Sequence, residues 1–276
     1  MSKIEILLAT YNGERFLKEQ LDSILTQTFK DFTLIVRDDG SNDKTVEIIN
    51  DYILQYPGKI ILLHDKVLHR GAALSFGYLI EQSTADYIML SDQDDVWLNN
   101  KVEITMNAML ELEKTHPDMP LMVFTDLKEV DNNLKIIHES FINSQKLFPE
   151  VIGSPTKILS LNVVAGCTVM INNISKQYVL PVPTSKVGHD QWIAANIAHY
   201  GKIKYLSTPT ILYRQHNFNA VGANNVGLNY FVNKILNPSK QLRIYTDLIS
   251  NLNFKVSYLS FLYYKMYFTF KRLRFK

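Results

Sequence analysis

The sequence predicts an α/β fold, with a mostly parallel central sheet flanked by helices and a helical C-terminal extension. Three observations carry this. Short apolar runs alternate with stretches of helical spacing along the N-terminal part of the chain. The first runs are almost continuously apolar, as expected of strands buried on both faces. Polar and acidic turns follow directly on these strands, at the sheet edge where open α/β folds bind ligands.

The elements follow in order. Ile4 to Ala9 is the first strand. Within Glu14 to Gln27, Phe16, Leu17, Leu21, Ile24 and Leu25 take helical spacing. Phe32 to Arg37 is the second strand, and Asp43 then starts a helix with Val46, Ile49, Ile53 and Leu54 on its apolar face. Lys59 to His64 is a strand, Leu74, Tyr78 and Leu79 mark a helix, and Tyr87 to Leu90 is a further strand. Met122 to Asp126 reads as a strand, Asp131-Asn132-Asn133 as a turn, and residues 138–160 as irregular. Val163 to Ile171 reads as a strand interrupted by Gly166. Asp190 to Tyr200 is helical, with Ile193, Ala194, Ile197 and Ala198 as its apolar face. Lys202 to Leu206 and Thr210 to Tyr213 are short strands, and from Leu228 onward the chain is helical, basic and aromatic.

Composition narrows the class. Charged residues at 20% and hydrophobic residues at 46% are ordinary for a globular chain. The single cysteine, Cys167, rules out an intrachain disulfide and fits a reducing compartment. No apolar run reaches the roughly 18 residues of a spanning helix, and the start is too short for a signal peptide. A cytoplasmic, non-integral protein is expected. The net charge of +2 hides an asymmetry: residues 228–276 hold nine Lys/Arg against Asp247 alone, so +8, which leaves −6 on the rest. An acidic body repels a polyanion, so no nucleic-acid partner is expected.

Two acidic clusters carry the chemistry. Three carboxylates in Asp92-Gln93-Asp94-Asp95 repel one another unless a cation or solvent screens them. Hard oxygen ligands suit Mg²⁺ or Mn²⁺, and Mg²⁺ leaves positions open for phosphates. In Asp38-Asp39-Gly40-Ser41 one carboxylate can accept the N3–H of a pyrimidine, while Asp43 caps the next helix. Read alone, Asp92-Gln93-Asp94-Asp95 also suits an acidic loop capping the helix after Trp97.

The stretches Ala9-Thr10-Tyr11-Asn12-Gly13, Asp38-Asp39-Gly40-Ser41 and Asp92-Gln93-Asp94-Asp95-Val96-Trp97 resemble family 2 glycosyltransferases over roughly residues 3 to 222. The resemblance implies the GT-A fold, a nucleoside-diphosphate sugar donor and inversion at the anomeric carbon. It places Thr10, Tyr11, Asn12 and Glu14 at the nucleotide, with Asp38 and Gln93 beside them, and Asp39 at the base. Asp92 and Asp94 form the Asp-x-Asp signature, with Asp94 the direct metal ligand and Asp92 shared between metal and donor. The run His69 to Ser75 resembles the family's Asn-x-Gly element, with Gly71 on the donor side and His69 where Asn is usual. Gly188-His189-Asp190-Gln191-Trp192 implies Asp190 as catalytic base, a role one carboxylate can fill in a single displacement; alone, Asp190 reads equally as a helix cap. Tyr213-Arg214-Gln215-His216, with Asn219 to Gly222 after it, resembles bacterial polysaccharide rhamnosyltransferases. There His216 would complete the metal site or touch the diphosphate, and Arg214 would neutralise phosphate charge.

The expected function is inverting, metal-dependent transfer of a sugar, with rhamnose the nearest flavour. The donor would be of dTDP or UDP type, the acceptor a glycan or lipid-linked sugar, and the setting cell-surface polysaccharide synthesis. Two other classes stand beside it. A nucleotidyltransferase would carry a glycine-rich basic phosphate loop, which Thr10 to Glu14 is not. A non-catalytic nucleotide-sugar-binding subunit would keep the donor site without a working base. Cys167 reads as a buried spectator thiol. The chain divides into a catalytic domain over 1–222 and a basic aromatic extension over 223–276. That extension would pack on protein or lie on an anionic membrane, making the protein peripheral at the inner face of the plasma membrane.

Overall fold

The computed structural model describes residues 3–183, 188–216 and 238–274, with the side chains of the last segment described from Tyr245. The expected boundary at 222/223, the run Asn219 to Gly222, and Tyr230, Phe231 and Phe275 lie outside the described residues.

The first half alternates as expected: β1 (Ile4–Thr10), α1 (Leu17–Leu25), β2 (Phe32–Asp38), α2 (Thr45–Gln55), β3 (Ile60–Leu63), α3 (Ala72–Gln82) and β4 (Tyr87–Ser91). Then come β5 (Val96–Trp97), α4 (Lys101–Thr115), β6 (Leu121–Val130), β7 (Ile136–His138), α5 (Phe141–Ser144) and α6 (Pro155–Ser160). The chain continues through β8 (Val169–Asn172), α7 (Lys176–Val179), α8 (His189–Tyr200) and β9 (Lys202–Arg214), and ends in α9 (Pro238–Asn251) and α10 (Tyr258–Arg274).

Among the described residues the strands form one mixed sheet in the order β3-β2-β1-β4-β8-β6-β9-β5, with β7 beside β6. β1 runs parallel to β2 and β4, and β2 to β3, as the alternating order dictates. Beyond β4 the sheet turns antiparallel through β8 to β6, while β9 lies parallel to β6 and antiparallel to β5. Ile4, Ile6 and Leu8 point into a core with Leu17, Leu21, Ile48, Ile49 and Met109; Leu7 points into the opposite core with Phe76, Leu79, Ile193 and Phe261. That two-sided burial is why β1 reads as a continuous apolar run.

Four expectations need correction. α2 buries Thr45, Ile48, Ile49 and Tyr52, and leaves Leu54 exposed. Residues 163–165 are not strand, and a 3-10 turn over Gly166–Thr168 precedes the shorter β8. The two short strands after α8 are one, β9, with its register broken opposite Thr125 to Lys128. Residues 138–160 are partly helical: Ser140 and Ser154 cap α5 and α6 by accepting the amides of Asn143 and Lys157. The helix after Trp97 begins at Lys101, past Asn100, so the acidic cluster does not cap it.

Candidate active site

Three loops meet at the carboxyl edge of β1, β2 and β4, where Thr10 is in register with Asp38 and Leu8 with Ser91. The first two loops are laced together. Thr10 Oγ1 donates to Asp38 Oδ1 (2.8 Å), Asn12 N to Ser41 Oγ (2.8 Å) and Gly13 N to Thr45 Oγ1 (2.8 Å). Asn12 sits at φ 48° and accepts the amide of Asn42 through Oδ1 (2.9 Å). Glu14 Oε2 accepts the amide of Lys44 (2.9 Å). Asp43 accepts the Thr45 amide at 3.0 Å in a turn just before α2, whose N-cap is Lys44 and not Asp43 as expected.

The two members of the first acidic cluster differ. Asp38 accepts four donors: Thr10 Oγ1, Gly40 N, Ser41 N and Ser41 Oγ. It builds the turn. Asp39 is buried and ion-paired to Arg37 (2.8 Å), and also accepts the amides of Arg70 (2.9 Å) and Gly71 (2.8 Å). Burial alone would raise its pKa; the hydrogen bonds from Arg37, Arg70 and Gly71 and the Arg37 charge together hold it below the usual carboxylate range. Its Oδ2 takes one of these donors, so an acceptor direction remains open on it. Gly71 thus serves through its amide, at φ 77°. Tyr11 is exposed, and His69 meets its ring edge-on at 5.7 Å.

The loop after β4 is tied to the first by a reciprocal pair. Tyr11 N donates to Gln93 Oε1 (2.8 Å), and Gln93 Nε2 to Tyr11 O (2.9 Å). A Cβ on Gly13 would lie 2.3 Å from Gln93 Oε1, so only glycine leaves room for this clasp. Asp94 Oδ2 faces His216 Nε2 at 2.9 Å, and the imidazole stacks on Phe16 with centroids 4.9 Å apart. Asp92 has its pKa pushed up to about 7, first by burial and then by the charges of Asp94 and Asp190. Asp95 is fully buried and pushed well above the usual range, again first by burial; its Oδ2 has no hydrogen-bond partner among the described residues.

These observations fit a cation. The cluster is rich in carboxylates that raise one another's pKa, and one buried oxygen is unsatisfied. Asp94 and His216 are in direct hydrogen-bond contact at 2.9 Å, so both side chains already sit beside the cluster. Among the described residues, the group of three whose ligand atoms all lie within 4.8 Å of one another is Asp92, Asp95 and Cys167, and not the expected set of Asp92, Asp94 and His216. Burial keeps that thiol protonated, which suits it poorly as a ligand for a hard cation.

Arg214 ends β9. It is buried, and its guanidinium donates to the backbone oxygens of Asp94 (3.0 Å) and Asn132 (2.7 Å) and pairs with Glu19. It also lies 4.4 Å above the Phe16 ring. These contacts tie the end of β9 to α1 and to the loop after β4.

Asp190 opens α8. Its Oδ1 accepts the amide of Gln191 (2.7 Å) and its Oδ2 the Nδ2 of Asn162 (3.0 Å). It is close enough to Asp92 for their charges to interact, so residues nearly a hundred apart in sequence share one site. Asn162, Arg37 and Lys101 were not foreseen. Arg37 left a signal, since a charge in a strand buried on both faces must be paired. Asn162 left none. Lys101 is wholly buried, with Nζ 4.6 Å from the Trp97 ring and its pKa pushed down to about 8 by burial, against the pull of Cys167 and Asp95.

Comparison with known proteins gives a consistent result. The family model described as Glycosyl transferase family 2 matches residues 5–166. A Shigella flexneri protein named dTDP-rhamnosyl transferase RfbG is 29% identical over 231 residues, 79% of this chain and 74% of that protein. The putative glycosyltransferase EpsE of Bacillus subtilis is 37% identical over 101 residues, 37% of this chain and 36% of that protein. Among solved structures, S. aureus TarS 1-349 with UDP-GlcNAc superposes with a TM-score of 0.61 at 15% identity, covering 99% of this chain and 72% of that one. The mannosyltransferase PcManGT of Pyrobaculum calidifontis, with GDP-Man and Mn²⁺, gives 0.60 at 14% identity, covering 97% and 70%. At these identities the structural likeness speaks for the fold, which is the GT-A fold.

Proposed function

The chain belongs to glycosyl transferase family 2, and on that premise we propose that it moves a sugar, rhamnose first, from a nucleoside-diphosphate donor of dTDP or UDP type to a hydroxyl of a glycan or lipid-linked acceptor. The observation that carries the reading is that Asp190, held by Asn162, lies near enough for its charge to act on Asp92 in the loop tied to Tyr11. The named dTDP-rhamnosyl relative supports rhamnose and dTDP.

The residues divide the work. Tyr11 and the open acceptor direction of Asp39 Oδ2 hold the base. Asp94 and His216, with Asp92, would hold Mn²⁺ or Mg²⁺. A divalent cation there supplies positive charge to the departing diphosphate. Asp190 accepts the proton of the acceptor hydroxyl as its oxygen attacks the anomeric carbon, while the bond from that carbon to the diphosphate oxygen breaks. Asn162 and the Gln191 amide fix the carboxylate for that transfer. One displacement inverts the anomeric centre and needs no enzyme nucleophile. The chain would work on the cytoplasmic side, in the assembly of a cell-surface polysaccharide.

Asp190→Asn tests the assignment. Transfer from dTDP-rhamnose should fall by roughly 10²–10⁴-fold, the range of a general base, while Mn²⁺-dependent stabilisation by dTDP is retained. Unchanged turnover would remove Asp190 from the mechanism. No stabilisation by any nucleotide sugar would sink the donor reading as well.

A further inference from the structure

α10 has two faces. On one, Phe261 and Phe268 are buried in the core, Lys265 Nζ donates to Ser160 O (3.0 Å) and Tyr245 Oη (2.6 Å), and Arg272 donates to Gln145 O (2.7 Å). On the other, Leu259, Leu262, Tyr263, Met266, Phe270 and Leu273 are all exposed, Leu259 at 82% and Phe270 at 62%. At about 100° per residue these six fall in one stripe about 100° wide, opposite the two buried phenylalanines. A continuous row of large apolar side chains on a surface marks an interaction site.

The stripe is mechanically close to the catalytic end of the molecule. α10 packs on α6 and is bonded to it through Ser160 Oγ, which donates to Phe261 O (3.1 Å). The carbonyls of Ile158 and Leu159 in α6 accept Gln191 Nε2 (3.1 and 2.9 Å), and Asn162, just past α6, donates to Asp190.

We propose that this stripe seats on an anionic bilayer surface and holds the Asp190 side of the site against the lipid, so that the acceptor is lipid-linked; that last step rests on the transferase reading above. Charge selects this occupant. α10 contains no Asp or Glu, and residues 228–276 carry +8. A second copy would bring two such segments face to face, whereas anionic headgroups neutralise them. Exposed Arg274 borders the stripe, and tyrosines among leucines suit a boundary that is apolar below and wet above.

The test sediments the full chain with vesicles of phosphatidylcholine alone and with added phosphatidylglycerol. Binding to the anionic vesicles is expected, weakening as salt rises. Met266→Ser with Phe270→Ser should lower partitioning on the order of a hundredfold, with dTDP/Mn²⁺ stabilisation unchanged because both positions are exposed. Equal partitioning of the two proteins overturns the proposal, as does failure of the unaltered chain to bind. A dimer in light scattering that the double substitution dissociates also overturns it, by assigning the stripe to a second copy. Vesicle binding without any nucleotide stabilisation would support the docking helix while counting against the transferase reading.

Discussion

Arg37 is the residue on which the donor side of the site depends. It is 1% exposed, pairs with Asp39 and with Asp65 (2.9 Å), and donates to Ser75 Oγ and Val67 O. Removing one member of a buried ion pair typically costs about 3–5 kcal/mol, so Arg37→Met should lose that much stability in denaturant melts. The loss should depend on pH. Burial opposes ionisation of Asp39 and Asp65, but hydrogen bonds and the Arg37 charge hold both below the usual range. Their contribution is full above the unfolded value of about 3.9 and is lost as the pH falls through the lower folded values. In Arg37→Met the acid limb of stability should therefore shift to higher pH. Gly13→Ala tests the clasp: the chain should fold, but Gln93 must swing away, and donor affinity should fall roughly tenfold by titration, the worth of one or two hydrogen bonds. The motifs around Asp39, Asp94, Asp190 and His216 stand in the sequence as short local runs. Arg37 was half legible. The partners of Arg214 were not, since Glu19 and Asn132 join it only after the chain closes on itself.

At the scale of elements, β1 to β4 were legible because each strand is short, apolar on both faces and separated by one helix. In α2 the apolar spacing predicts a face of Val46, Ile49, Ile53 and Leu54, but the buried row is Thr45, Ile48, Ile49 and Tyr52. Thr45 belongs to it because its hydroxyl accepts the Gly13 amide, and Tyr52 because its hydroxyl bonds Asp22 (2.7 Å). The join of α8 to β9 has no slack. A Cβ on Gly201 would lie 1.7 Å from Pro120 O, backbone that cannot step aside. Gly201→Ala should cost roughly 3 kcal/mol, the upper end of overpacking, and calorimetry would show it as a lowered Tm. An unchanged Tm would mean that this turn relaxes freely.

At the scale of the whole molecule, the last strand closes the site. β9 crosses from β6 to β5, and its end delivers His216 to Asp94, 122 positions earlier. No single stretch of sequence contains that pair, so only the family resemblance foreshadowed it. Divalent cation with nucleotide should stabilise the native state by mass action, about 2.7 kcal/mol at a hundredfold excess over Kd, and chelation should reverse it. His216→Ala should weaken Mn²⁺ affinity at least on the order of tenfold, read from the Mn²⁺ dependence of the Tm. The Tyr11–Gln93 clasp has a further consequence, for how such a molecule can diversify. It makes the loop after β1 and the loop after β4 one inherited block, in which a substitution on either side disturbs both. The side chain of His69 touches Tyr11 from outside that block. New donor preferences are therefore expected to arise first at position 69, where change leaves the leaving-group machinery as it was.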